Sequence, residues 1–441
     1  MNNNEEKQSV ADRPSTVQDI VLWIGIDWAD QKHCLVTCRL DGSGSQLHWV
    51  DQKPERLEEF FLDLRRKHPT GRIGVVLEQS RGALLYALLK YSFLRLYPVN
   101  PRCLADFRKA MFASGAKGDP PDAGLLCELG CKHGERLREL ELEDEATRQL
   151  RLLNEHRRGI VDDQTALTNQ LRSTLKCFYP VALDLFGDEV IAPIALAFLK
   201  RWPNLAAAKR AKPGVLRSFF RQHNSRSEEK IQQRIEALAQ AQPLTEDQAI
   251  IAPLELLVQT LIVRLQAVQS SIAAYDERIA VVFASHPKAE VFASFPGVGP
   301  VFGPRLAAAF GTSTSNLPEA GSMLCWSGVA PVQQQSGKSK VVQWRWARPK
   351  FLHQTFVEYA RSSVMFCGWA REFFDSRVEK GWSRFRIYRA LAFKWIRILW
   401  RCWMDNVAYD EAKYLAGLQK RGVKLYASLY AAPATSGQKN S

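Results

Sequence analysis

Apolar residues follow two rhythms along this chain. In the first third, short apolar runs alternate with stretches of helical spacing. VLWIGIDWAD (21–30) is apolar up to Asp27, and HCLVTCRLDG (33–42) closes on the turn pair Asp41-Gly42, so the two predict a hairpin of strands. PERLEEFFLDLRRK (54–67) has helical periodicity, and RIGVVLEQ (72–79) reads as a short buried strand ending at Glu78. ALLYALLKYSF (83–93) predicts a helix, LRLYPVNP (94–101) a strand stopped by prolines, and KGDPPDAG (117–124) the start of another helix. The order β-β-α-β-α-β-α predicts a mixed α/β layer over residues 18–140, after a polar tail at 1–17 expected to be disordered.

The second rhythm is heptad. Positions 146, 150, 153, 157, 160, 164, 167 and 171 repeat at 3.5-residue spacing, interrupted by Arg157 and Gln164. A cleaner seam runs through Leu254, Val258, Leu261, Leu265, Val268, Ile272, Tyr275, Ile279 and Val282. Residues 141–288 therefore predict long helices that pair either between chains as a coiled coil or within one chain. Between the seams, 181–245 is less regularly helical, with AAAKRAKPG and NSRSEEK as loops. A mostly helical third region, 289–410, opens with FPGVGPVFGPRLAAAFG, and 411–441 forms a tail. The Pro-Gly-Val-Gly-Pro turn resembles the hairpin of helix-hairpin-helix modules, in which glycines such as Gly297 and Gly299 let backbone N–H groups approach a phosphate.

Composition changes this picture through charge. The 441 residues carry 60 Lys/Arg against 46 Asp/Glu, a formal net charge of +14, which points to a polyanionic partner. Between Lys338 and Arg401 fifteen basic residues face four acidic ones, and eight of the twelve tryptophans lie between 326 and 403. In SRFRIYRALAFKWIRILWRCW, Arg386, Arg389, Lys394, Arg397 and Arg401 fall within an arc of about 140° at 100° per residue. With Lys338, Lys340 and Arg345 they form the candidate nucleic-acid surface. No unbroken run of 18 apolar residues and no signal peptide is present, so a cytoplasmic protein without a membrane partner is expected. The nine cysteines show no disulfide pattern. Cys34/Cys38 and Cys127/Cys131 have C-x3-C spacing with His133 close by, but four zinc ligands do not assemble, and buried reduced thiols are expected.

The remaining candidates are acids. Asp27 ends an apolar strand, where aspartate is uncommon, and Glu78 ends another. Asp119 suits a helix N-cap, with Pro120 as the first helical residue and Asp122 at the third. Asp119 and Asp122 then lie one turn apart and can face the same way. Four converging carboxylates repel one another unless cations neutralise them, and hard oxygen ligands select Mg²⁺ or Mn²⁺. Two such ions can drive phosphodiester cleavage.

These residues carry a family likeness. WIGIDWADQKHCLVTC, VVLEQSRG, VNPRCLADFRKA followed by KGDPPDAG, PGVGP and WSGVAPVQQQSGKSK occur in an order that resembles the DEDD-type transposases of bacterial insertion sequences, also called bridge-RNA-guided recombinases. Piv-type DNA invertases are relatives. The likeness spans roughly residues 20–415. It implies a RuvC-like, RNase H-type first domain whose tetrad falls on Asp27, Glu78, Asp119 and Asp122. It further implies that Ser336, in GVAPVQQQSG, attacks the DNA phosphodiester and forms a phosphoserine intermediate, although Gln-Ser-Gly-Lys-Ser has the composition of an ordinary polar loop. The implied partners are double-stranded DNA, a noncoding bridge RNA, and further copies of the chain in dimers that pair into a tetramer, in a bacterial, nucleoid-associated setting. Gly118 departs from the Thr or Ser that often precedes the third acid. WRWARPKFLHQTF after the serine differs from the Gly-Asn…Leu-Arg of one branch. Two other functions fit the residues less fully: a metal-dependent, structure-specific nuclease resembling Holliday-junction resolvases, and a non-catalytic nucleic-acid-binding protein.

Overall fold

A strand with apolar side chains on both faces must be covered on both, and β1 (Ile20–Asp27) is such a strand. The computed structural model describes residues 19–78, 82–111, 118–223, 225, 227–337 and 339–423, without the side chain of Lys340. Lys117, Lys338 and the tail at 1–17 lie outside these residues. The chain divides into two units, one ending at Leu142 and the other starting at Glu143.

In the first unit, β1 is central in a five-stranded sheet of order β3-β2-β1-β4-β5. β2 (Lys32–Cys38) and β3 (Gln46–Asp51) run antiparallel, while β4 (Arg72–Leu77) and β5 (Leu94–Pro98) lie parallel to β1 and to each other. Leu22, Ile24 and Ile26 join a core with α1 (Pro54–Lys67) and α2 (Ala83–Leu88). Trp23, Cys34, Val36, Cys38 and Val76 join a second core with α3 (Pro101–Met111) and α4 (Asp119–His133).

The mixed α/β layer expected from the sequence is present, with two additions. β3 is an edge strand whose Leu47 and Trp49 are exposed while its inner face is His48 and Val50, so its apolar residues do not mark the buried side. The strand of 94–101 ends at Pro98, as its prolines predict, and Pro101 starts α3, where a missing N–H costs nothing. α2 also ends earlier than its apolar run, at Leu88 rather than residue 93.

Among its described residues the second unit is helical apart from one β-ribbon. α5 (Glu145–Phe178) is capped by Asp144, which accepts from Thr147 N–H at 2.9 Å. Next come α6 (Val181–Phe186), α7 (Pro193–Arg201), α8 (Leu205–Arg210), α9 (Pro213–Gln222) and α10 (Glu228–Gln240). They build a local core with Leu167, Leu171 and Leu175 of α5 and Val258, Leu261 and Leu265 of α11 (Gln248–Ala284). The two heptad seams meet within the chain: α5 and α11 pack along each other, and Arg157 forks onto Asp276 where the seam turns polar. By length and composition α11 could cross a membrane, although no unbroken apolar run marks it.

The second core of this unit gathers Leu150, Ile279 and Val282 with the C-terminal elements. These are α12 (Ala289–Ala293), α13 (Gly299–Phe310), α14 (Ala320–Trp326), the ribbon β6 (Val332–Ser336) and β7 (Ser339–Gln343), then α15 (Lys350–Phe366), α16 (Gly368–Val378), α17 (Arg384–Asp405) and α18 (Glu411–Lys420). Trp369, Trp395 and Trp403 are fully buried there, so much of the tryptophan excess is core.

Candidate active site and nucleic-acid groove

Backbone register brings the first two acids together. β1 and β4 are parallel, with Ile26 opposite Leu77, so Asp27 and Glu78 are the next residues of adjacent strands, at their C-terminal ends. Side chains alternate along a strand, so Asp27 continues the side of Trp23 and Gly25, and Glu78 that of Val76. That side carries α4.

α4 comes close because Gly25 has no side chain. A Cβ there would lie 2.1 Å from the Ala123 carbonyl oxygen and 2.3 Å from the Cys127 nitrogen. The start of α4 is therefore held next to the end of β1, which carries Asp27. Cys34, opposite Asp27 on β2, registers the result. Its thiol is pushed up to about 11, first by burial and then by the negative charges of Asp27 and Asp119. Acids from separate stretches of chain thus act on one point.

The two acids of α4 part ways. Gly118 takes the cap position expected for Asp119, in extended backbone (φ −169°, ψ 150°), and Asp119 is the first helical residue. Pro120 and Pro121 lack N–H groups, so the first intrahelical donor is Asp122, whose N–H reaches the Gly118 carbonyl at 3.1 Å. Asp119 is exposed, whereas Asp122 is 2% exposed and gripped by Arg108 of α3. Arg108 donates from Nε and Nη2 to the two Asp122 carboxylate oxygens, both at 2.6 Å. This bidentate partner was not singled out from the sequence, although it lies within VNPRCLADFRKA.

Asp27 and Glu78 are half-buried and Asp119 is exposed. These carboxylates are hard oxygen donors, the chemistry a hard divalent cation selects, but among the described residues they do not close to the spacing of one ion's ligands; the group that does is Cys38, Cys127 and Cys131. His33, fully buried beside Cys34, accepts from Ala29 N–H at 3.3 Å and pairs with Gln52, fixing the turn after Asp27. Burial lowers its pKa and keeps it neutral.

In the second unit, Ser336 lies at the exposed tip of the β6–β7 ribbon, opposite Ser339, with Gly337 at φ +55° opening the turn. The segment that reads as a polar loop is thus a hairpin, whose tight reversal requires the left-handed backbone glycine adopts freely. The ribbon's base is anchored by Trp344, which stacks on Phe385 at 5.5 Å and lies 4.0 Å beneath the Arg389 guanidinium. Val342 and Pro331 of this ribbon line a groove of about 1190 Å³, and so do all five stripe residues, Arg386, Arg389, Lys394, Arg397 and Arg401.

Aromatic rings order this basic face. Arg386 sits 3.9 Å above Trp382 and Lys394 5.2 Å from Phe373. Burial, then the charges of Arg377, Arg421 and Arg397, lower the Lys394 pKa. Among the described residues, Arg401 alone in the stripe has a salt bridge, to Asp405 at 2.7 Å. Arg345 lies beside Cys325, 3.7 Å from its sulfur. Lys338 and the Lys340 side chain fall outside the described residues. Gly297 (φ +73°) and Gly299 (φ +47°) form the turn between α12 and α13, with the Gly297 carbonyl accepting from Ser362 Oγ at 2.9 Å.

Comparison with known proteins identifies the family. Residues 24–180 match the IS110-type DEDD family model, described as a transposase, and residues 289–375 match the transposase family of IS116, IS110 and IS902. The IS117 mini-circle protein of Streptomyces coelicolor is 25% identical over 413 residues, covering 90% of this chain and 98% of the relative. The 44.8 kDa protein of insertion element IS116 from Streptomyces clavuligerus is 25% identical over 401 residues, covering 89% and 96%. The 42 kDa protein of insertion element IS900 from Mycobacterium paratuberculosis is 23% identical over 402 residues, covering 89% and 98%. With both family models matched and relatives aligned over nine-tenths of its length, the chain belongs to the DEDD-type IS110 family of insertion-sequence transposases.

Proposed function

We propose that this transposase excises and inserts its element by site-specific DNA recombination, with Ser336 as the nucleophile. Ser336 Oγ attacks a DNA phosphorus. An Oγ–P bond forms, the P–O bond to one strand segment breaks, and the serine proton ends on the departing oxygen. The phosphoserine keeps the energy of the broken linkage, so attack by another strand's hydroxyl reseals DNA and returns the serine. Asp27, Glu78, Asp119 and Asp122 would hold Mg²⁺ or Mn²⁺, Asp122 only once Arg108 gives up one of the two oxygens it now grips. Bound there, the divalent ion supplies Lewis-acid stabilisation of the charge that develops on oxygen.

What supports this reading is that register sets Asp27 and Glu78 on adjacent strand ends, while the charges of both Asp27 and Asp119 reach Cys34. The strand order 3-2-1-4-5 supports a RuvC-like fold for the first domain. The groove residues Arg386, Arg389, Lys394, Arg397 and Arg401, with Lys338, Lys340 and Arg345, track phosphates, and the Gly297–Gly299 turn adds a helix-hairpin-helix-like contact. The partners are the element's DNA ends, the target duplex and a noncoding bridge RNA. The chains form dimers that pair into a tetramer with active sites shared between subunits, in the bacterial cytoplasm at the nucleoid.

The test is to trap the intermediate. With full-length protein, guide RNA and a suicide DNA that loses its rejoining end, wild type and Ser339→Ala should give a phosphoserine adduct at Ser336, found by peptide mass spectrometry. Ser336→Ala should give none. Cleavage that proceeds undiminished in Ser336→Ala would overturn the serine mechanism in favour of a metal-dependent nuclease.

A further inference from the structure

α4 carries a second group of metal-type ligands, distinct from its acids. Cys127 and Cys131 are one turn apart on one face of this helix, and Cys38 is the last residue of β2, which packs against it. Their three sulfurs lie within 4.8 Å of one another, with Cys38 and Cys127 at 2.8 Å. Cys38 and Cys127 are buried, while Cys131 is half-buried and leaves the group an opening to solvent. Asp41, in the turn after β2, is near enough for its charge to act on both Cys38 and Cys131. The sequence shows two separate C-x3-C pairs, and folding takes one cysteine from the first and both from the second.

We propose that Cys38, Cys127 and Cys131 form a three-thiolate site for a soft divalent cation of the zinc class, with the fourth position filled by water or Asp41. Tetrahedral zinc with Zn–S bonds of about 2.3 Å spaces its sulfurs ~3.8 Å apart, within the span observed here. Occupancy therefore needs Cys38 and Cys127 to separate by roughly 1 Å, which the strand-end position of Cys38 allows. Thiolates select zinc and carboxylates select magnesium, so one helix would serve two cations without exchange between them. The thiolate site lies about 12–18 Å from Asp119 along the helix, at 1.5 Å per residue. Its cation would pin α4 to β2 and so hold the carboxylates at the helix start.

The full chain is produced with zinc in the medium, passed over a chelating resin and assayed for bound metal by mass spectrometry of the elements. Cobalt is then substituted and its absorption recorded. One equivalent of zinc is expected, with a thiolate-to-cobalt charge-transfer band in the near ultraviolet and intense tetrahedral visible bands. Cys131→Ser, at the half-buried corner where folding tolerates it, should lose these bands and weaken zinc binding at least about tenfold. Cys103→Ser, exposed on α3, should change neither. The site is overturned if the folded wild type holds no zinc and gives no cobalt–thiolate band. It is equally overturned if Cys131→Ser binds as well as wild type, or if peptide mapping finds a Cys38–Cys127 disulfide in freshly isolated protein. None of these readouts depends on recombination, so the site and the serine mechanism stand or fall separately.

Discussion

Arg108 and Asp122 form a buried fork in which both carboxylate oxygens accept from one guanidinium at 2.6 Å. The pair joins α3 to the first turn of α4, the turn that also carries Asp119. Arg108→Ala leaves a buried carboxylate without its cation, and such losses cost about 3–5 kcal/mol. Chemical denaturation should show that loss. Arg108→Ala combined with Asp122→Asn should recover part of it, since no buried charge then remains. If Arg108→Ala is as stable as wild type, the fork does not hold α3 and α4 together.

Gly25→Ala places a methyl group where the α4 backbone lies, at 2.1 Å from the Ala123 oxygen. Neither strand nor helix backbone can yield locally, so α4 must move. Overpacking of this kind costs roughly 1–3 kcal/mol. Recombination should fall by more than about tenfold even at temperatures where the variant is folded, because displaced groups lose productive geometry. Gly124→Ala is the control. It sits on the same helix with open space around it, and should stabilise by about 0.5–1 kcal/mol without loss of activity.

Within the basic groove, residues held over rings should contribute more than residues paired to acids. Arg386→Ala and Arg389→Ala remove cations already ordered by Trp382 and Trp344. Each should weaken DNA binding and reduce the slope of log affinity against log salt by about 0.9. Arg401→Ala should have a smaller effect, because Asp405 already neutralises that side chain. Fluorescence anisotropy across a salt series measures all three.

Acid should destabilise the fold earlier than carboxylate titration alone predicts. His33, His286 and His353 are buried, and burial lowers each pKa below the ordinary 6.5. Each also serves in a hydrogen bond: His33 accepts from Ala29 N–H, His286 pairs with Thr147 Oγ1 at 2.9 Å, and His353 with the Ser327 carbonyl at 3.1 Å. Below pH 6.5 the unfolded chain takes up protons that the folded chain refuses. Stability is therefore complete above 6.5 and falls as pH drops through that value toward the depressed folded pKa values. Denaturant midpoints measured from pH 8 to 5 should decline across this window. His33→Gln, His286→Gln and His353→Gln combined should flatten the decline.

Much of the scaffold was legible because burial leaves a periodic trace. β1 and β4 are runs of apolar residues because both faces are covered, and the α5 and α11 seams repeat because two helices share a line of contact. The edge strand β3 left a misleading trace, because its apolar Leu47 and Trp49 face solvent while His48 and Val50 face the core. The start of α4 moved by one residue because two prolines without N–H groups set which donor closes the first turn.

The sequence by itself determined which acids end strands, where the basic stripe runs and which faces of the long helices are apolar, since each depends on the order of residues within one element; that those faces meet within one chain was decided by the fold. Only the tertiary structure decided the partners. It placed Arg108 on Asp122, set Trp344 beneath Arg389, and drew Cys38 from β2 to Cys127 and Cys131 on α4. These contacts depend on how separate elements approach, and here that approach is set by a small residue such as Gly25, whose significance lies in the backbone opposite it.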